Sequence, residues 1–170
     1  MIEVKNLVKQ FDGFRALDNL NMTVPDGAVY GLVGPNGAGK STIIRHMTGI
    51  YRQDSGELLI DGAPVFENPA LKSRIAYIPD DIFYFSNATI QETANFYRSV
   101  YPSFDNTRFK KLGELLELDP KRQMRRLSKG MQKQAAFWIN VSLHPDILIL
   151  DEPVDGLDPV MRRQIWSIVM

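Results

Sequence analysis

The residues with the clearest chemistry are Gly34-Pro35-Asn36-Gly37-Ala38-Gly39-Lys40-Ser41, followed by Thr42. Glycine at these spacings lets the backbone turn its N–H groups inward, close enough to hold phosphate oxygens. A helix beginning near Gly39 would aim the positive end of its dipole at the same anion. Lys40 would reach the terminal phosphates, and the Ser41 hydroxyl is a hard oxygen donor suited to Mg²⁺. The pattern is that of a nucleotide triphosphate-binding loop, with Mg²⁺ as the expected accompanying cation.

A second set stands far downstream. Ile147-Leu148-Ile149-Leu150 is fully apolar and runs into Asp151-Glu152. In open α/β sheets ligands gather at the C-terminal ends of strands. Asp151 there could serve the metal, and Glu152 could take a proton from an attacking water.

These residues need strands and helices to carry them. Residues 2–11 read as a strand ending in an irregular stretch, and Leu20, Met22 and Val24 alternate as a second. Pro25-Asp26-Gly27 marks a turn, and residues 28–33 read as a short buried strand leading to the loop. Residues 40–47 should be helical, closed by Gly49. Asp61-Gly62 should turn a hairpin between residues 58–60 and 63–66, and residues 75–78 form a strand stopped by Pro79.

The middle is helical in pattern. Thr89 and Glu92 have capping-box spacing, with Ile90, Ala94, Tyr97 and Tyr101 on one face. Asp105 caps a second helix, with Phe109, Leu112, Leu115 and Leu116 inward, ending near Asp119-Pro120. Ser128 caps a third, burying Met131, Ala135, Trp138 and Ile139. A last helix starts near Pro159. Strands alternating with helices predict an α/β fold with a parallel sheet, an antiparallel β portion at the N-terminus and an all-helical insert at about 85–127.

Composition excludes other classes. With 20 Lys plus Arg against 20 Asp plus Glu, the formal charge is zero, so no global field draws in nucleic acid or anionic lipid. The run Lys121-Arg122-Gln123-Met124-Arg125-Arg126 reads as a solvated face. The absence of cysteine removes disulfide and thiolate chemistry and fits a reducing compartment. Neither a signal peptide nor an apolar stretch of about 20 residues is present, so any membrane span must come from another polypeptide. Asn87-Ala88-Thr89 has the glycosylation pattern, but Thr89 is better used as a helix cap.

Between the two sets lies Leu127-Ser128-Lys129-Gly130-Met131-Gln132, and after the second comes Asp155-Gly156-Leu157-Asp158-Pro159. With these, the chain resembles the ABC-type ATPases along its whole length: the first segment is similar to their signature, commonly LSGGQ, and the second to their D-loop. The resemblance implies a P-loop NTPase fold with a RecA-like core, and ATP hydrolysis as the energy-coupling subunit of a membrane transporter. It implies a head-to-tail partnership with a second ATPase subunit, identical or not, and with an integral membrane subunit, at the cytoplasmic face of the cell membrane. Ser128, Lys129, Gly130 and Met131 would face the nucleotide held by the opposite subunit, with Asp158 in the D-loop. Phe11 would stack on adenine, with Ala16 beside it. Nucleic acid is not expected as a partner. The alternatives are a non-transport ABC ATPase acting on nucleic acid or ribosomes, and a regulatory nucleotide-binding module.

Three departures stand out. Where the family usually has Gln after the strand at 75–78, this chain has Asp80, with Asp81 the alternative in that alignment. Asp80 can still ligate Mg²⁺ but adds negative charge near the phosphates. Lys129 and Met131 replace Gly and Gln of the signature; Lys129 either adds charge near a phosphate or faces water. Similar LSKGM forms occur in bacterial exporters of antibiotics and hydrophobic cargo, which points toward export. The family's switch-loop histidine would lie beyond Met170, and neither His46 nor His144 replaces it. The chain is therefore read as a truncated form of a longer subunit, expected to bind ATP weakly and hydrolyse it poorly.

Overall fold

The computed structural model describes residues 1–85 and 87–169. Ser86, inside the expected insert, and Met170 lie outside the described residues. The chain divides into two units, Met1–Ser73 and a second beginning at Arg74.

The first unit is built on a four-stranded antiparallel sheet in the order β2-β1-β3-β4. β1 (Ile2–Phe11) and β2 (Phe14–Val24) form a long hairpin. Its two-residue turn is Asp12-Gly13, both at positive φ (44° and 83°), the conformation that matches the right-handed twist of paired strands. β1 stays paired through to Phe11, with register shifts between Val4 and Gln10 where the irregular stretch was expected, and β2 starts well ahead of Leu20. β3 (Ser55–Ile60) pairs with the other edge of β1, and Asp61-Gly62 turns into the short β4 (Ala63–Pro64). Ile2, Val4, Leu7, Leu17, Met22, Leu58 and Ile60 are buried. Helix α1 (Lys40–Met47) buries Ile43, Ile44 and Met47. It ends as expected: Gly49 at φ 66° donates to the His46 carbonyl and Ile50 to the Arg45 carbonyl, a Schellman closure. A one-turn helix, α2 (Pro69–Lys72), is capped by Asn68.

The strand expected at residues 28–33 does not form. Val29, Tyr30 and Val33 are exposed, Val33 to 93%, and among the described residues no strand pairs with this segment. An apolar run becomes a strand only when a neighbour accepts its backbone hydrogen bonds.

In the second unit, β5 (Ile75–Ile78) and β6 (Ile147–Leu150) pair in parallel, Ile75 opposite Ile147 and Ile78 opposite Leu150. Around them lie α3 (Ile90–Val100), α4 (Asn106–Leu116), α5 (Lys129–Val141) and α6 (Pro159–Val169). The capping box forms: the Glu92 amide donates to Thr89 Oγ1 at 3.1 Å, and the Thr89 amide to Glu92 Oε2 at 2.8 Å. Asp105 caps α4 through the amides of Thr107 and Arg108. One cluster packs Ile90, Ala94, Phe109, Leu112, Leu116, Met124, Trp138 and Ile139. Trp138 stacks on Phe109 at 4.5 Å and donates Nε1–H to its carbonyl at 2.6 Å, so the one polar group of the indole is satisfied inside the core. Leu115 departs from expectation and is exposed. Three residues after Leu112 it has rotated off the buried stripe, where Leu116 takes the inward place.

Candidate functional site

In the first unit, Gly37 and Gly39 both sit in the left-handed region, at φ 83° and 85°. Gly39 is the N-cap of α1, and no side chain caps that helix. Its first-turn N–H groups are thus directed along the axis toward the loop. The Lys40 ammonium folds back over residues 34–39, donating to the carbonyls of Gly34 at 2.7 Å and Pro35 at 3.1 Å. The Ala38 amide donates to the Pro35 carbonyl at 3.2 Å. The result is a ring of backbone closed by a cation, with open space where a side chain at Gly37 would project. Ser41 and Thr42 follow in the first turn of α1.

Ala16, on β2, backs this loop. A Cβ placed on Gly39 would lie 2.6 Å from the Ala16 carbonyl oxygen. Phe11, at the end of β1, is partly exposed; Tyr51 meets it edge-on at 5.4 Å and Lys9 Nζ lies 5.4 Å from its ring. One side of the ring is supported by the protein, and the remainder is open to solvent.

In the second unit the parallel register sets the geometry. β5 and β6 finish level with one another, so Pro79-Asp80 and Asp151-Glu152 emerge at the same end, where open α/β sheets place their ligands. The Asp151 amide continues the ladder to the Ile78 carbonyl at 3.0 Å. Asp151 is buried, at 8% exposure, whereas Glu152 is exposed and sits at φ 46°. A residue the sequence did not mark joins them: Lys133 Nζ donates to Asp80 Oδ1 and to the Glu152 carbonyl, both at 2.9 Å. Ile78, Pro79, Lys133, Phe137, Leu150, Asp151, Pro153 and Ile165 bound a cavity of about 10 Å³, the size of a single water at most.

The signature-like segment opens α5. Ser128 is its N-cap, accepting from the Met131 amide at 3.3 Å. Lys129 is exposed, and Gly130 packs so closely that a Cβ there would lie 3.3 Å from Leu157 Cδ2 and 3.4 Å from Met161 Sδ. Gln132, which closes the signature-like segment and had no role assigned from sequence, donates from Nε2 to the carbonyls of Met124 and Leu127 at 3.2 Å each, tying down the approach to Ser128. Asp158 caps α6 through the amides of Val160 and Met161. The signal for Lys133 and Gln132 was weak, because nothing in a polar residue on a helix announces which loop it will bridge.

The expected metal donors are divided between the units, Ser41 in the first and Asp80 and Asp151 in the second. Among the described residues no group of three or more Asp, Glu, His or Cys gathers as a self-sufficient metal cage. Hydroxyl and carboxylate oxygens are the donor types that Mg²⁺ takes, one or two from protein beside waters and phosphate oxygens.

Comparison with known proteins bears on the family of the chain. The chain is 33% identical over 170 residues to the ABC transporter ATP-binding protein YtrB of Bacillus subtilis, covering 100% of this chain and 58% of that protein. It is 34% identical over 180 residues to the daunorubicin/doxorubicin resistance ATP-binding protein DrrA of Streptomyces peucetius, covering 99% of the chain and 53% of the relative. The chain thus spans a little over half the length of these relatives. A solved ATP-binding subunit of an ABC transporter superposes with a TM-score of 0.89 at 26% identity, over 99% of this chain and 72% of that one. The fold is the P-loop NTPase cassette with an antiparallel N-terminal sheet. The ABC transporter family model matches residues 17–155, and the chain belongs to that family.

Proposed function

We propose that this chain binds ATP with Mg²⁺ and hydrolyses it as the energy-coupling part of an ABC membrane transporter. The observation that carries the proposal is the loop before α1, where Lys40 is held on the Gly34 and Pro35 carbonyls in front of an uncapped helix. A triphosphate is the ligand that such a concentration of amides and positive charge suits.

In this reading residues 34–42 bind the phosphates, with Phe11 against adenine and Ala16 beside it. Ser41, Asp151 and Asp80 would hold Mg²⁺, which when bound neutralises charge on the phosphate oxygens. Glu152 accepts a proton from water as its oxygen attacks the γ-phosphorus and the bond to the ADP oxygen breaks, leaving ADP and inorganic phosphate. Ser128, Lys129, Gly130 and Met131 face the γ-phosphate of ATP held by a second ATPase subunit, and Asp158 follows in the D-loop. Ser128 heads a 13-residue helix, which gives this segment a dipole of the right sign.

No described helix is long and apolar enough to cross a membrane; in this reading the chain works with an integral membrane subunit at the cytoplasmic face of the membrane. Exposed aromatics in the second unit suit such a partner. Phe83 is 84% exposed and meets Phe85 at 6.1 Å, which in turn meets Phe96 at 5.3 Å. Exposed contiguous apolar surface of this kind marks protein interfaces.

The test is Mg²⁺-dependent ATP hydrolysis by the natural full-length protein, compared with Lys40→Met. Activity in the first and a loss of at least about tenfold in ATP affinity in the second are expected, the value of a charge-assisted phosphate contact. Equal ATP binding by both would remove the phosphate loop from the site.

A further inference from the structure

We propose that Lys133 is a positioning residue of the hydrolytic centre, holding the Glu152 main chain and the Asp80 carboxylate on one ammonium. The inference rests on the assignment of Glu152 as base in the function proposed above.

Three elements converge on this side chain. Parallel pairing of β5 with β6 delivers Asp80 and Glu152 at the same end, and α5 brings Lys133 to both. The Lys133 side chain is only 12% exposed while that of Asp80 is 51% exposed. A lysine withdrawn this far from water must have its charge answered, and here Asp80 Oδ1 and the Glu152 carbonyl oxygen answer it.

Two consequences follow for the reaction. Glu152 occupies the left-handed region at φ 46°, a conformation a non-glycine residue holds only when its surroundings enforce it. The charge-assisted bond from Lys133 to its carbonyl is such an enforcement, and it sets the direction in which the carboxylate leaves the backbone. Asp80, in turn, is a charged residue that the resemblance, with Asp81 as the alternative, aligns with the family's usual neutral glutamine. Left alone it would oppose a triphosphate; paired with Lys133 its charge is offset.

The two effects separate experimentally. In the natural full-length protein, kcat and KM for ATP with Mg²⁺ are measured for wild type, Lys133→Met, Lys133→Arg, Asp80→Asn and the Lys133→Met/Asp80→Asn pair. Binding of a non-hydrolysable ATP analogue without Mg²⁺, which keeps the proposed metal-ligand role of Asp80 out of the readout, is followed by calorimetry, and thermal melting checks the fold. Lys133→Met should lower kcat by about 10²-fold, the cost of a misplaced catalytic group, and weaken analogue binding by about tenfold through the uncovered Asp80 charge. Asp80→Asn keeps an oxygen donor and removes the charge. Added to Lys133→Met, it should restore analogue binding but not kcat. Lys133→Arg should recover part of kcat. If Lys133→Met does not fold, Asp80→Asn alone decides: with Lys133 unopposed, the analogue should bind more tightly than to wild type. Wild-type kcat and analogue affinity in Lys133→Met, no restoration of binding in the pair, or full recovery of kcat in the pair would each overturn the proposal. So would unchanged or weaker analogue binding in Asp80→Asn. A wild-type protein with no ATPase activity would instead overturn the function on which the proposal rests.

Discussion

Gly39 stands against the backbone of Ala16: a Cβ on Gly39 would lie 2.6 Å from the Ala16 carbonyl oxygen and 2.9 Å from Leu17 Cδ2, and Gly39 is itself at φ 85°. The second strand of the sheet thus presses directly on the residue from which α1 and its phosphate-facing amides begin. Gly39→Ala should therefore destabilise the protein by about 1–3 kcal/mol, the usual cost of a strained backbone site, and should move the loop away from its ligand. Gly37 provides the control. It has nearly the same φ, 83°, but nothing within 4 Å of its missing Cβ. Gly37→Ala should lose less stability. Denaturation midpoints for the two variants check the difference, and equal losses would mean that conformation alone, not contact with Ala16, governs the site.

Glu152→Gln should slow turnover by about 10²-fold or more, the ordinary contribution of a general base, while ATP stays bound because the amide has nearly the carboxylate's shape. Retention of labelled ATP on the purified full-length variant measures this. Normal steady-state hydrolysis would take Glu152 out of the base role.

Ser128 has two duties that substitution can pull apart. Its hydroxyl caps α5, so Ser128→Ala should cost about 1 kcal/mol of stability. Ser128→Asp keeps a good cap and should hold the melting temperature near wild type. The same change puts a negative charge at the helix end that is proposed to face a γ-phosphate, so ATPase activity should fall sharply. Full activity in Ser128→Asp would show that Ser128 is a cap and nothing more.

His46 predicts a pH dependence of stability. The residue is buried, and burial is the main reason its pKa is lowered, with the Thr42 carbonyl at 2.7 Å from Nδ1 pulling the other way. The unfolded chain therefore takes up a proton at higher pH than the folded one. Stability from this group is complete above the ordinary histidine pKa of about 6.5 and is lost as pH falls from there toward the depressed folded value. Urea midpoints measured from about pH 7.5 to about pH 5.5, roughly one unit either side of that value, should decline in wild type and flatten in His46→Leu. The acidic caps act lower. Glu92 is held down by the Thr89 amide and hydroxyl, and Asp105 chiefly by the Arg108 amide, so their contributions persist until pH falls through the carboxylate range.

Much of the local structure was readable one residue type at a time. Thr89 with Glu92, Asp105, Ser128 and Gly49 announce helix ends because a cap depends on atoms within four residues of chain. The Asp12-Gly13 turn carries the same kind of signal, but apolar alternation is plain only at 20–24, so periodicity does not show the earlier start of β2. The strand expected at 28–33 shows the opposite case. Its composition suits a buried strand, but pairing is supplied by another segment, and periodicity alone does not reveal whether a partner is there.

The amino-acid sequence by itself determined the chemistry on offer: the amide-rich loop at 34–42, the carboxylates at 151–152, the Ser128 cap and the family they point to. Tertiary structure decided which groups meet across distant elements. Lys133 lies 53 positions from Asp80 and 19 from Glu152, and only the parallel register of β5 and β6 under α5 brings the three together. Short-range geometry is written in neighbouring residues, whereas a long-range ion pair depends on how whole elements pack.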